Sequence, residues 1–487
     1  MTSRNLRTRG GGLPLACVCA AILCGCAKEP TLTTSSTEAL RLYQDGASQY
    51  EKFYYREAKA SLERAIGFDS SFAMAWARLA AVDMNNQDEP QALTEIGRAM
   101  QLMGHASRRE QLIIRMLDRR FHYDYGAAAR IADSISLLYP DEKEAYVIRG
   151  LIDQTGNDYE AALRSYRKAV EVDTGYAIAY MYIGYAYSSL GEQDEALSNM
   201  EHYIRLAPDA ADPRASYGDL LMRVGRYDEA LEQYQKALAL KPDYWYSFMQ
   251  IGNIYAIEGR LHDAEVQFHK SLSMRPPNRA LEATHLVVAA ALDRFRAKYK
   301  EAVELYASAL SLDSTNGGAS FGLVYCLGRL HRTKEAWSVV DRIYREFGRR
   351  NLLATSAMLE FHLVKANLLK DERRYDQALV ECDSAKEYAD PLTRGLVYRY
   401  IADIDFLLKH HDDALDASEE ALRVNPDEPE ALLNLVRIYH ATGDRDLTSE
   451  IGGRLMEFWK NADPDFSNLA ELKGLLRATG RRVSVTN

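Results

Sequence analysis

Residues 214–243 read RASYGDLLMRVGRYDEALEQYQKALALKPD, with small residues at Gly218, Ala230 and Ala237 and a proline at 242. The same marks recur through the chain. Gly150, Gly184, Gly218 and Gly252 stand 34 residues apart, as do Ala162, Ala196, Ala230 and Ala264, and Pro208, Pro242 and Pro276 keep the same step. Three residue types on one period identify an internal repeat, and a period of this size means stacked supersecondary units rather than one globule.

The pattern resembles the tetratricopeptide repeat, which carries a large residue at position 4, Leu at 7, Gly or Ala at 8, Tyr at 11, Ala at 20, an aromatic at 24, Ala at 27 and Pro at 32. Trp76, Leu79, Ala80, Ala92 and Ala99 fit it in an early copy, and Phe248, Ile251, Gly252, Tyr255, Ala264, Phe268 and Pro276 in a central one. With position 20 as marker, copies fall at Ala58, Ala92, Ala128, Ala162, Ala196, Ala230, Ala264, Ala302, Ala336, Ala378, Ala414 and Thr448.

The resemblance implies an all-α, right-handed α-solenoid of about twelve helix-turn-helix hairpins over residues 38–460. Each residue type has a mechanical reason. Two antiparallel helices approach closely only where side chains are small, so position 8 is expected to face position 20. Aromatics such as Tyr166, Tyr234, Phe268 and Tyr306 fill the wider gaps, and proline ends the second helix because it cannot continue the hydrogen-bond ladder. A single hairpin cannot bury its own apolar face, so stability comes from stacking.

The period breaks twice. Ala264 to Ala302 is 38 residues, across Pro276-Pro277-Asn278, and Ala336 to Ala378 is 42, across FGRRNLLATSAMLEFHL. Longer helices are expected there, dividing an N-terminal arc over 38–277 from a more divergent C-terminal arc over 278–460. Residues 461–487 read as a capping helix, Asp465 to Ala478, and a tail.

The chain begins differently. Arg4, Arg7 and Arg9 precede an apolar stretch, Leu13 to Leu23, too short to span a bilayer, and ILCGCAKEP follows at 22–30. Leu23, Cys24, Gly25 and Cys26 resemble the lipobox of bacterial lipoproteins. That resemblance implies a signal peptide over 1–25, diacylglycerol and further acylation at Cys26, a tether over 26–37, and a membrane-anchored place in the bacterial envelope, the outer membrane by the best-known sorting rule. Two or more acyl chains hold a protein stably on a membrane.

Without residues 1–25 the formal charge moves from −10 to −13, which disfavours nucleic acid as a partner. No later apolar run approaches spanning length.

Features with a catalytic look have plainer explanations. Asp194-Glu195, Asp228-Glu229 and Asp412-Asp413 all precede position 20, in the first turn of a second helix, where carboxylates complement free amides and the helix dipole. His410-His411 belongs to one such turn and reads as solvated rather than metal-binding. Cys326 and Cys382 read as small buried thiols. The sequence contains none of the common nucleophile-elbow, zincin, P-loop or dinucleotide motifs, and too little chain lies outside the repeats for a separate catalytic domain. No enzyme, metal or cofactor is therefore expected.

Function falls to surfaces. Positions 5, 9, 12 and 13 of the first helix project away from its packed side and line a concave wall. The expected peptide-binding groove comprises Met181, Tyr185, Asp219, Met222, Arg223, Met249 and Asn253, a mixture of soft apolar contacts and hydrogen-bonding groups suited to an extended peptide. A lipid-anchored scaffold binding proteins or peptides is the first expectation. A glycan-binding lipoprotein of a nutrient importer is the second, given 31 Tyr.

Overall fold

A hairpin that reverses within a few residues needs one left-handed backbone unit, and this chain supplies one per repeat. In the computed structural model, which describes residues 32–275, 278–352 and 357–478, positive φ occurs between the two helices of each hairpin: at Phe53, Gln87, Tyr123, Asn157, Gly191, Gly225, Gly259, Ala297, His331, Arg373, Lys409 and Gly443. These turns mark twelve hairpins, followed by a final helix, Ser467–Ala478, and no strand is present among the described residues. Consecutive helices pack on one another from end to end. The expected all-α solenoid is the fold, with its cap two residues shorter at the start than the sequence suggested.

The quoted stretch forms the helices Asp212–Arg223 and Tyr227–Leu240. Pro213 sits in the first turn, where its missing N–H is no loss. Past the first helix the Arg226 amide donates back to the Leu221 carbonyl at 2.9 Å, closing the turn around Gly225. Every position-20 marker from Ala58 to Thr448 has 0% exposure.

The contact expected between positions 8 and 20 needs correction. A Cβ on Gly218 would lie 2.9 Å from the Tyr234 ring, and one on Gly252 would lie 2.6 Å from Phe268, so the position-24 side chain meets the glycine first. Position 20 contributes through its backbone: a Cβ on Gly184 would be 3.1 Å from the Ala196 carbonyl. Small residues here make room for the large position-24 side chain, Tyr234 and Phe268 at two copies and Met200 at Gly184, not for another small residue.

The acidic pairs do lie in first helical turns, at the second and third helical positions, while the cap positions themselves, Glu192, Arg226 and His410, make no side-chain cap. Glu229 instead pairs with Arg226 through both oxygens at 2.6 Å. Where Asp occupies the cap position itself, as at Asp124 and Asp158, it accepts the amide three residues on.

At the two breaks in period the helices Arg279–Phe295 and Thr333–Arg349 run to 17 residues, against 14 for the intervening Tyr299–Leu312. Cys326 and Cys382 are both buried free thiols. Cys26, Pro276, Pro277 and residues 479–487 lie outside the described residues.

Within the unit that begins at Leu32, the superhelix is wound tightly enough for hairpin turns of early repeats to rest on inter-repeat turns of later ones. The Tyr54 hydroxyl accepts from the Ala211 amide at 3.1 Å, and Lys241 reaches Glu57 at 2.7 Å. Asn157 Nδ2 donates to the Tyr388 carbonyl at 3.0 Å. Further along, Asn425 donates to the Tyr227 hydroxyl at 3.2 Å, and Trp459 Nε1 donates to the Ile257 carbonyl at 3.1 Å. The Asp463 amide donates to the Gly259 carbonyl at 2.9 Å. These contacts form a seam that holds neighbouring turns of the coil together.

Candidate functional site

The inner stripe splits into two chemically different parts. In the N-terminal arc the expected groove residues largely satisfy one another. Asp219, 7% exposed, accepts from the hydroxyls of Tyr185 at 2.8 Å, Tyr234 at 2.7 Å and Tyr246 at 2.8 Å, and from Gln250 at 3.0 Å. Asn253 donates to Gln250 at 2.7 Å, and Arg223 lies over the Tyr185 ring at 5.6 Å. Tyr185, Asp219, Arg223 and Asn253 are thus brought together. Met181 is 4% exposed and packs in the core with Ile183 and Met200, while Met222 and Met249 are half-buried against neighbouring clusters.

Asp212 is similarly enclosed, accepting from Tyr203 at 2.9 Å, Tyr244 at 2.7 Å and Ser216 at 3.2 Å. Burial pushes its carboxyl up to about 6, and burial raises Asp219 as well, although the hydroxyl donors oppose both shifts. With four donors on Asp219 and three on Asp212, these carboxylates fix helix positions, and a ligand could reach them only by displacing a tyrosine.

The open part lies in the C-terminal arc. A cleft of about 580 Å³ runs along the first helices of successive hairpins, from Arg279–Phe295 to Pro429–Thr442, and on to the final helix. Its floor is a row of alternating charge. Lys370 reaches Asp403 at 2.6 Å, Asp403 lies 3.5 Å from Arg437, and Arg437 reaches Glu471 at 2.6 Å. Burial alone would push the Asp403 carboxyl up, but Lys370 and Arg437 outweigh it and hold the group below the usual carboxylate range. Arg399 pairs with Glu430 beside the row.

Counting side chains, the lining carries five cations, Arg294, Arg329, Lys370, Arg399 and Arg437, against the carboxylates of Asp403, Glu430 and Glu471. Asn367 and Asn434 add amides, and Tyr299, Tyr325 and Tyr400 add aromatic rings. Each of these rings is covered by a guanidinium: Arg329 over Tyr299 at 5.8 Å, Arg294 over Tyr325 at 5.2 Å and Arg399 over Tyr400 at 5.4 Å.

Sequence reasoning passed over this cleft, although the signal existed. Tyr185, Asp219 and Asn253 stand six residues before the left-handed turn of their hairpins, and so do Tyr325, Asn367, Asp403 and Arg437. The same stripe continued past the first break in period names the cleft.

Comparison with known proteins agrees on the repeat. A profile described as tetratricopeptide repeat matches residues 149–211 and 408–446, and one described as TPR repeat matches 218–259. The chain therefore carries tetratricopeptide repeats in both arcs. Human Superkiller complex protein 3 is 28% identical over 98 residues, which is 20% of this chain and 6% of that protein. Among solved structures, the human IFIT1 dimer with m7Gppp-AAAA is similar at a TM-score of 0.41 and 15% identity, covering 89% of this chain and 92% of that one. MamA is similar at a TM-score of 0.21 and 20% identity over 40% of this chain and 94% of its own.

Proposed function

We propose that this chain is a non-enzymatic scaffold that receives protein or peptide partners on its inner wall, with the C-terminal cleft as the principal site. The cleft itself supports this reading most: it is roomy, polar and built by six successive helical units, so it presents hydrogen-bonding groups along a line, as an extended peptide requires. The N-terminal stripe, Met181 to Asn253, serves as a stiffened continuation of the wall. Its carboxylates spend their bonds on tyrosines.

A glycan reading is less well supported. Sugars stack on bare aromatic faces, and the tyrosines of the cleft hold guanidinium groups against theirs. A hydrolytic reading would need shifted acids in a cavity, whereas the raised carboxyls of Asp212 and Asp219 are closed in by tyrosines.

The proposal includes the lipid at Cys26 and a place in a bacterial envelope, on the strength of Leu23-Cys24-Gly25-Cys26. Both halves are testable in one preparation. Proteins captured from detergent-solubilised membranes by the wild-type chain are expected to be lost with Asn468→Arg, whose longer side chain fills space in the cleft that Asn468, on the final helix, also lines; equal recovery by both chains counts against the cleft. Labelled fatty acid is expected on the wild type and not on Cys26→Ser. Label that survives the substitution would remove the anchor from the account.

A further inference from the structure

The seam leaves the two ends of the coil unequal. Each of the first seven hairpin turns rests on a later part of the chain: a Cβ added to Gly191 in the fifth would lie 3.4 Å from Pro391, and in the seventh the Gly259 carbonyl accepts from Asp463. The eighth touches through Arg296, which reaches Asp465 at 3.1 Å. The turns at His331, Arg373 and Lys409 make no hydrogen bond or ion pair to a distant repeat among the described residues. Early hairpin turns face later inter-repeat turns, so these last turns form the rim of the coil opposite its entry at Leu32.

The residues change where the seam stops. At the left-handed position the seam turns carry Phe53, Gln87, Tyr123, Asn157 and three glycines, none of them charged, whereas the free turns carry His331, Arg373 and Lys409. At the next position the second to fifth turns carry Asp88, Asp124, Asp158 and Glu192, and the eighth to eleventh carry Lys298, Arg332, Arg374 and His410. Arg226 and Arg260, in between, pair with acids of their own turns. Gly443-Asp444 ends the basic run in the twelfth.

A non-glycine residue in the left-handed region carries a steric cost. The seam turns put such side chains to use: Asn157 donates to the Tyr388 carbonyl, and Tyr123 lies under Arg350 at 5.2 Å. Arg373 and Lys409 are exposed and have no carboxylate within ion-pair distance among the described residues, and the same is true of Lys298, Lys300 and Lys334. In a chain of formal charge −10, five unpaired cations are thus gathered on one edge.

We infer that this rim is a second docking surface, separate from the cleft, for an acidic segment of a protein partner. Exposed charge pairs are individually weak, so several acting together supply the attraction and steer encounter. An anionic lipid surface fits less well, because a chain held on a membrane through residues before Leu32 turns the opposite end of the coil toward it. Nucleic acid also fits less well: Glu335, Asp376, Asp412 and Asp413 stand in the same turns and would repel a continuous run of phosphates. A protein segment can set its carboxylates over the cations and neutral residues over the acids.

Random linear peptides are selected on the full-length wild type, and binding is then measured on three variants whose fold is verified by circular dichroism and melting. The rim variant combines Lys334→Glu, Arg373→Glu and Lys409→Glu. A charge control combines Lys168→Glu, Lys236→Glu and Arg423→Glu, exposed cations of second helices. Asn468→Arg fills the cleft. The wild type is expected to enrich peptides rich in Asp and Glu, with affinity falling as NaCl is raised. That affinity should drop about tenfold or more in the rim variant and hold in the other two.

Enrichment without acidic residues, or equal loss in the rim variant and the charge control, overturns the surface. Loss of the acidic peptides with Asn468→Arg alone moves them to the cleft and also overturns it, while leaving the scaffold reading intact. Tighter binding of an RNA homopolymer or of phosphatidylglycerol vesicles than of the selected peptides, abolished by the rim variant, would assign the rim to a different partner and overturn the protein segment.

Discussion

Gly225 lies against Asn425 across the seam, so closely that a Cβ on the glycine would overlap the asparagine amide, which in turn donates to the Tyr227 hydroxyl. Gly225 also has φ of +81°. Gly225→Ala should lower unfolding free energy by about 2 to 4 kcal/mol, from left-handed strain plus overpacking. Gly443 has a comparable φ of +84° with open space around it, so Gly443→Ala should cost only about 1 to 2 kcal/mol. Denaturant unfolding of both variants checks this, and equal losses would mean that the seam adds nothing.

Asp219 holds three helices through four donors. Asp219→Ala leaves those donors in a buried site and should cost more than about 3 kcal/mol, whereas Asp219→Asn keeps the shape and should cost less. Thermal melting of the pair gives the comparison. Similar small losses would contradict the role of Asp219 as a closed structural hub.

Glu95 is 2% exposed beside Asp83, which Lys59 holds at 2.7 and 2.8 Å, and it accepts from Gln91 at 2.9 Å. Burial first, and then the Asp83 charge, push its carboxyl up to about 8. A carboxyl whose folded value lies above its unfolded one keeps its proton in the folded state, so this site costs stability as pH rises from about 4.5 to about 8. Glu95→Gln should raise the melting temperature above pH 8 and leave it nearly unchanged near pH 5. A gain that is the same at every pH would mean that Glu95 is already ionised when folded.

Cys326 and Cys382 are both at 0% exposure, and burial pushes each thiol up to about 12. Thiolate, the reactive form, is then scarce and inaccessible. Mass-spectrometric mapping after maleimide treatment should find both unmodified in the native chain and labelled in denaturant. Native labelling at the rate of a free thiol would contradict the packing described here.

Much of the fold was legible in residue spacing because each repeat repeats one mechanical problem. Ala58 through Thr448 marked all twelve hairpins, and each is sealed from solvent. The site was legible only in part. Tyr185, Asp219 and Asn253 were found as one stripe, but spacing cannot say that three tyrosines converge on Asp219, since Tyr234 and Tyr246 come from different helices. The row from Lys370 to Glu471 was missed where the 38-residue step broke the alignment of positions. Seam contacts such as Asn157 with Tyr388, 231 residues apart, depend on superhelical pitch, which accumulates from small rotations that no single repeat encodes.

The account stands most directly on where a partner touches the coil. A photoreactive phenylalanine at Tyr400, in the cleft, is compared with one at Leu138, 46% exposed at the end of the helix Tyr125–Leu138. In cells of the native host, irradiation should join the Tyr400 chain to a discrete protein partner and leave the Leu138 chain free. Crosslinks from Leu138 with none from Tyr400 would contradict the inner wall as the binding surface.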